Sequence, residues 1–176
     1  MKGLDIMMKW FKECKSVEAV KREYHKLCMQ YHPDLNKDDT TEIMKQINAE
    51  YETAFERFKN IHEEADNKTN TYTSSNETNE TAKEFMEIIN KLIICEGLNI
   101  DLCGRWIWIT GNTFPYKDII KNLNFKWASK KKCWCWYWHK DEDACKSRRN
   151  MSLDEIKNKY GCESFKGTAT PRLATA

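Results

Sequence analysis

The chain has 176 residues, 40% hydrophobic and 32% charged, with 29 Lys+Arg against 27 Asp+Glu and a formal net charge of +2. That is enough apolar material for one ordinary domain or two small ones. It excludes a membrane-spanning helix, since no apolar run approaches the roughly 20 residues that the hydrocarbon layer demands, and the opening "MKGLDIMMKW" is too short and too charged for the apolar segment of a secretory signal.

The charge is unevenly spread. Residues 1–97 hold 14 Lys/Arg and 19 Asp/Glu, a balance of −5, whereas residues 98–166 hold 14 and 8, a balance of +6. Six of the seven tryptophans lie beyond residue 105. Two halves with different chemistry suggest two modules. Most of the eight cysteines, two of which (Cys14 and Cys28) fall inside helical patterns, read as reduced thiols of a cytoplasmic protein.

In chain order, residues 5–14 read as a short amphipathic helix with Ile6, Trp10 and Phe11 buried. Ser16 is a plausible cap for a second helix, its hydroxyl accepting from a free backbone N–H. That helix runs to about Tyr31, with Val17, Val20, Tyr24, Leu27, Cys28 and Tyr31 on one face and Lys21, Arg22, His25 and Lys26 lying away from it. Pro33 stops it. After the polar loop "LNKDDTT", Thr40 or Thr41 can cap a third helix that carries Met44, Ile47, Tyr51, Ala54, Phe55 and Phe58 on one side. Residues 63–81 are too polar to repay the entropy of ordering and read as a flexible linker that tethers the modules without docking them. A fourth helix spans about 82–96. "RWIWIT", "FKWA" and "CWCWYW" read as three strands, the last two joined by the turn "SKKK". A short helix covers Tyr116–Leu123, and two helical stretches lie near 141–149 and 152–160, the second capped by Ser152 and closed by Gly161. The tail, 167–176, reads as disordered.

Two stretches invite functional readings. "YHPDLN", residues 31–36, sets His32, Pro33 and Asp34 in a row. A metal site would need about four convergent ligands, and only His25 and Cys28 are near in sequence. An acid–base pair would need a pocket and a nucleophile close by. The plain alternative is a helix stop between two solvated polar residues. The second stretch, "CWCWYWHK", alternates Trp134, Trp136 and Trp138 with Cys133, Cys135 and Tyr137. The tryptophans can build the core of a small sheet. Cys133, Cys135, His139 and Cys145 can be combined into a zinc set, although C-x-C is not the usual knuckle spacing. Lys126, Lys130, Lys131, Lys132, Arg148 and Arg149 can track phosphates while Trp108, Trp127 or Trp136 stack on bases, which would make the module nucleic-acid-binding.

The stretch "VEAVKREYHKLCMQYHPDLN" followed by "MKQINAEYETAF" closely resembles the J-domain of DnaJ-type co-chaperones. Tyr24, Leu27, Met29 and Tyr31 match that family's second helix, and His32, Pro33 and Asp34 its defining tripeptide. Ile47, Asn48 and Tyr51 match the start of its third helix. The resemblance covers about residues 4–60. It implies an antiparallel helical hairpin with the tripeptide at its tip. It further implies binding to a DnaK-type (heat-shock-70 class) chaperone and stimulation of its ATP hydrolysis, with His32, Pro33 and Asp34 stimulating and Lys21, Arg22 and Lys26 docking. His25 and Gln30 stand where that family usually has basic residues. No Gly/Phe-rich region and no repeated CxxCxGxG motif follow, so the resemblance is to a minimal form. The stretch "CGRWIWITGNTFPYKDIIKNLNFKWASKKKCWCWYW" resembles the C-terminal region of small J-domain proteins of Gram-positive bacteria and their phages.

The sequence therefore predicts an all-α J-domain over 1–62, a linker over 63–81, a small α+β module with a three-stranded sheet over 82–166, and a tail. The expected protein is not an enzyme and needs no cofactor. It stimulates the ATPase of a partner chaperone, with the second module as adaptor. The alternative is a nucleic-acid-binding protein that recruits the chaperone to replication or phage-assembly complexes.

Overall fold

Ser16 starts the first helix as expected: its Oγ accepts the Ala19 N–H at 3.1 Å, and α1 runs Val17–Tyr31. Pro33 ends it, because the residue before a proline is driven out of the helical region. His32 accordingly sits at φ −65, ψ 130. The structure, a computed structural model, describes residues 8–63, 69–71, 81–104, 106–137 and 151–167.

The second helix of the hairpin, α2, spans Thr41–Phe58. Neither threonine hydroxyl caps it. The Thr41 N–H donates instead to the Asp39 carboxylate at 3.1 Å, a negative charge placed at the positive end of the helix. The two helices meet at Tyr24 and Tyr51, whose ring centroids lie 4.1 Å apart, and the Tyr24 hydroxyl donates to Asn48 Oδ1 at 3.0 Å.

The helix expected over 5–14 is absent from its described part, where residues 8–14 form turns. So short a helix cannot sustain itself. Glu50 of α2 takes the backbone instead, its Oε1 accepting the N–H groups of Trp10 at 2.7 Å and Phe11 at 3.0 Å. This pins Phe11 into the core.

Two short strands, β1 (Ile61–Glu63) and β2 (Thr69–Thr71), pair antiparallel within and beside the expected linker. Its residues 64–68 and 72–80 lie outside the described ones. Thr81 and Glu84 then form a reciprocal capping box that opens α3, Ala82–Leu92, two side chains that satisfy free N–H groups at the helix start. The helix ends four residues before the expected boundary, as Gly97 (φ 77) turns the chain into the sheet.

The three expected strands are present: β4 (Trp106–Gly111), β5 (Lys126–Ala128) and β6 (Cys133–Tyr137). They belong to a five-stranded antiparallel sheet with β3 (Leu98–Cys103) and β7 (Glu163–Lys166), ordered β5-β6-β4-β3-β7. Between β4 and β5 lie a 3-10 turn, Phe114–Tyr116, and α4, Lys117–Asn122. At the start of that excursion a Cβ on Gly111 would collide with the Gly97 carbonyl, and φ there is +87, so this crossing requires glycine. The expected capping of residues 152–160 holds: Ser152 and Glu155 box the start of α5, Leu153–Tyr160, and Gly161 closes it at φ 68. The helical stretch expected at 141–149, with Trp138, His139, Cys145, Arg148 and Arg149, lies outside the described residues, as does the tail from 168. Gly167 itself is placed, donating to Leu98 O at 2.9 Å.

Alternation divides the sheet as the sequence predicts. Ile107, Ile109, Trp134 and Trp136 face the helices, whereas Trp108, Cys103 and Cys133 face α5 through Leu153 and Ile156. The linker composition suggested tethered modules, but the structure packs them together. Phe85 of α3 lies against both tyrosines of the hairpin, at 6.3 Å from Tyr24 and 6.1 Å from Tyr51. One hydrophobic cluster runs from Phe11 through α1, α2 and α3 to Trp136. Among the described residues, no helix is long and apolar enough to cross a membrane.

Candidate functional site

At the tip of the hairpin the chain turns through a single 3-10 turn, Pro33–Leu35. Proline fixes φ at its first position and loses no N–H that the turn needs. Leu35 plugs into the core at 1% exposure, and this anchors the turn from below. His32 lies half under it: its Nδ1 accepts the Asp34 N–H at 3.2 Å, which fixes the ring orientation and leaves the proton on Nε2. Burial pulls the His32 pKa down from its ordinary value, and the Asp34 carboxylate partly offsets that. The Asp34 side chain is 65% exposed, with its Oδ2 3.8 Å from His32 Nδ1.

Asn36 is a site residue that the sequence reading missed. Its side-chain amide donates to Gln30 O at 3.0 Å and His32 O at 2.9 Å. It thereby ties the turn back to the last turn of α1 and satisfies carbonyls that a helix end leaves free. The signal available was an amide, with two donors in fixed geometry, directly after the turn. Glu18 and His62 were also missed; their side chains meet at 2.7 Å in the interior and hold the start of β1 to α1.

The cationic side of α1 is divided by what packs on it. Arg22 and Lys26 line a surface cleft of about 520 Å³ with Lys9, Trp10 and Lys12 on one wall and Glu13, Glu23 and Glu163 interspersed. Lys26 Nζ lies 3.2 Å from Glu163 Oε1 at the start of β7. Lys21 and His25, expected to lie away from the apolar face, are buried. Lys21 Nζ sits 5.3 Å from the Phe85 ring centroid, and the His25 ring packs against Phe165 at 4.0 Å. The reason is that α3 and β7 cover the second side of α1, which sequence periodicity assigns to solvent.

In the sheet region, Lys126, Lys130 and Lys132 are exposed and Lys131 is half-buried beside the Trp108 ring. Trp127 is 49% exposed, but Trp136 is only 6% exposed, so Trp136 is a core residue and has no face for a base. Cys133 is buried and Cys135 half-buried; the other two members of the expected zinc set, His139 and Cys145, lie outside the described residues. No cluster of three His, Cys, Asp or Glu fit to hold a metal ion occurs among the described residues.

Residues 11–57 match the family model of the DnaJ domain. The match spans the pinned Phe11, both hairpin helices and the His-Pro-Asp turn, and this segment of the chain is a DnaJ domain. Neither the curated proteins nor the solved structures compared with the chain gave a match.

Proposed function

We propose that the protein is a co-chaperone whose DnaJ domain docks on a DnaK-type (heat-shock-70) chaperone and stimulates its ATP hydrolysis. The observation that carries this reading is the turn itself. His32, Pro33 and Asp34 are held in one conformation by Leu35 beneath and Asn36 behind, with Asp34 turned to solvent. A preformed loop spares its partner the cost of ordering it. An exposed carboxylate suits bidentate capture by a partner arginine, and His32 Nε2–H is a directed donor beside it. Arg22 and Lys26, with Lys9 and Lys12 around the same cleft, supply positive charge that can steer toward an acidic surface. Lys21 supports the fold under α3 in this reading and does not touch the partner. The chain hydrolyses nothing; it shifts the chaperone between conformations by binding one of them better.

The sheet region acts as the adaptor that brings the DnaJ domain to its place of work. Half-exposed Trp127, with Lys126, Lys130 and Lys132 near it in sequence, is an accessible aromatic and cationic surface among its described residues.

Single-turnover ATP hydrolysis by a DnaK-type chaperone, with and without the protein, tests the main reading. Stimulation is expected with the native chain, and a return to the unstimulated rate with His32→Gln, whose circular dichroism should match the native spectrum. An equal rate with native and variant chains rejects the assignment.

A further inference from the structure

Cys103 closes β3, and Cys162 stands one residue before β7. Leu102 lies opposite Glu163 in this antiparallel pair, so the next pair outward is Cys103 and Cys162. The Gly167 N–H donates to Leu98 O, which makes Leu98 and Gly167 a hydrogen-bonded pair. Pair types alternate along an antiparallel ladder. Asp101/Ser164 and Cys103/Cys162 are therefore both non-hydrogen-bonded pairs, where Cα atoms approach to about 4.5 Å and side chains stand closest. The Ser164 hydroxyl indeed donates to Asp101 Oδ1. That spacing falls in the range of about 4.4–6.8 Å that a disulfide spans, and Cys162 packs against the small cluster that holds Cys103.

The pair is asymmetric. Cys103 is fully buried beside Trp108 and Cys133, and its thiol is pushed well up by the neighbouring Cys162 thiol and then by burial. Cys162 is half-buried. The Cys103 thiol holds its pKa below the ordinary thiol value; burial and Asp101 oppose this, while Lys157 and Ser164 help. Lys157 comes from α5, with its Nζ 2.8 Å from Asp101 Oδ2. The accessible sulfur is thus the better thiolate and the hidden one the reserve, the division of labour between an attacking and a resolving cysteine.

We infer that Cys162 and Cys103 form a redox-active dithiol that reacts with small-molecule disulfides, and that its oxidised form staples β7 to the sheet. The Cys162 thiolate attacks one sulfur of R–S–S–R, that bond breaks, and R–S⁻ departs and takes a proton from water. Cys103 then gives its proton to solvent and attacks the Cys162 sulfur, expelling the second R–S⁻. Two protein thiols and one disulfide become one protein disulfide and two R–SH, and two electrons pass to the small molecule. Strand β7 is one of the two edge strands of the sheet, paired in it to β3 alone, so this bond would fix a strand held from a single side. None of this depends on the chaperone reading.

The test equilibrates the full, reduced chain in buffers of graded reduced-to-oxidised glutathione, quenches with N-ethylmaleimide and maps the peptides by mass. A Cys103–Cys162 linked peptide is expected before any other pair, and brief iodoacetamide treatment should mark Cys162 about tenfold faster than Cys103. Cys103→Ser should stop at a stable glutathione adduct on Cys162, and Cys162→Ser should leave Cys103 unmodified. The native-chain result stands without either variant, should one fail to fold. Absence of the linked peptide at every ratio, or faster labelling of Cys103 than of Cys162, overturns the inference.

Discussion

Taking the protein from pH 7.5 to 5.0 should weaken its fold by about 2 kcal/mol through His25 alone. The ring is fully buried, neither nitrogen has a hydrogen-bond partner, and its neighbour is the Phe165 ring. Burial lowers its pKa from 6.5 to about 3. Between those two values the unfolded chain binds a proton that the folded chain refuses. The stabilisation from a neutral His25 is therefore complete above about pH 6.5 and is lost progressively as pH falls toward 3. At pH 5.0 the loss is RT ln(1 + 10^1.5), about 2 kcal/mol, and it depends only on the unfolded value as long as the folded one stays below about 4. The assay is urea unfolding, followed by tryptophan fluorescence at both pH values, for the native chain and His25→Phe. Phenylalanine keeps an aromatic ring against Phe165 and removes the titration. His32, also pulled down by burial, adds acid sensitivity of the same sign. It is common to both proteins, as are the carboxylates, so the difference between them isolates His25. The native chain should lose about 2 kcal/mol more than the variant. Equal losses would show that His25 is hydrated in the folded state and would refute the reasoning.

Phe85→Ala should cost about 3–5 kcal/mol, and in both proteins the helical signal and the tryptophan fluorescence should melt in one transition, because hairpin and sheet share a core; separate transitions in the native chain would contradict that. Trp136→Ala should cost a similar 3–5 kcal/mol, whereas Trp127→Ala, at a half-exposed position, should cost less than about 1 kcal/mol by the same urea measurement. If the sheet region binds single-stranded nucleic acid, Trp127→Ala should weaken binding of an oligonucleotide to the full chain at low salt by about 5- to 100-fold, and absence of salt-dependent binding by the native chain ends that reading. Asn36→Ala should cost about 1 kcal/mol for its two partly exposed hydrogen bonds, yet reduce chaperone ATPase stimulation several-fold in single-turnover assays, because it releases the turn that presents Asp34.

The parts of the fold legible in the sequence were those governed by local rules. Ser16 and Ser152 cap helices through their own hydroxyls, Pro33 ends α1 by steric exclusion, and the period-2 alternation of "RWIWIT" and "CWCWY" sorts the two faces of the sheet. The His-Pro-Asp turn was legible for the same reason, as its conformation comes from contiguous residues. The rest depended on partners distant in sequence. Glu50 replaces an N-terminal helix with a pinned turn by reaching back about 40 residues to Trp10 and Phe11. Strand β7 becomes a strand by pairing with β3, far back along the chain, and has only four residues, too few for a period to show; β3, which also pairs with neighbouring β4, was missed although that partner is local. Trp136 and Trp127 are alike in sequence context and share a face of the sheet, since Trp127 pairs with Trp134; only the place of β5 at the sheet edge leaves Trp127 exposed while Trp136 is covered.

The same distinction bears on α1. An amphipathic helix is assigned one buried face and one solvated face, but α1 is packed on two sides, by α2 on one and by α3 and β7 on the other. On the proposed function, Lys21 consequently leaves the docking surface, and the described positive charge around the cleft is Arg22 and Lys26 with Lys9 and Lys12. Lys26 is shared with Glu163 of the sheet, in a pair whose side chains are 49% and 36% exposed. A pair so open to water contributes at most about 1 kcal/mol. That is too little to keep a chaperone away, but a factor of about five in affinity is within its reach. On the proposed function, Glu163 of the C-terminal region would thus tune the charge that α1 offers a chaperone, through Lys26.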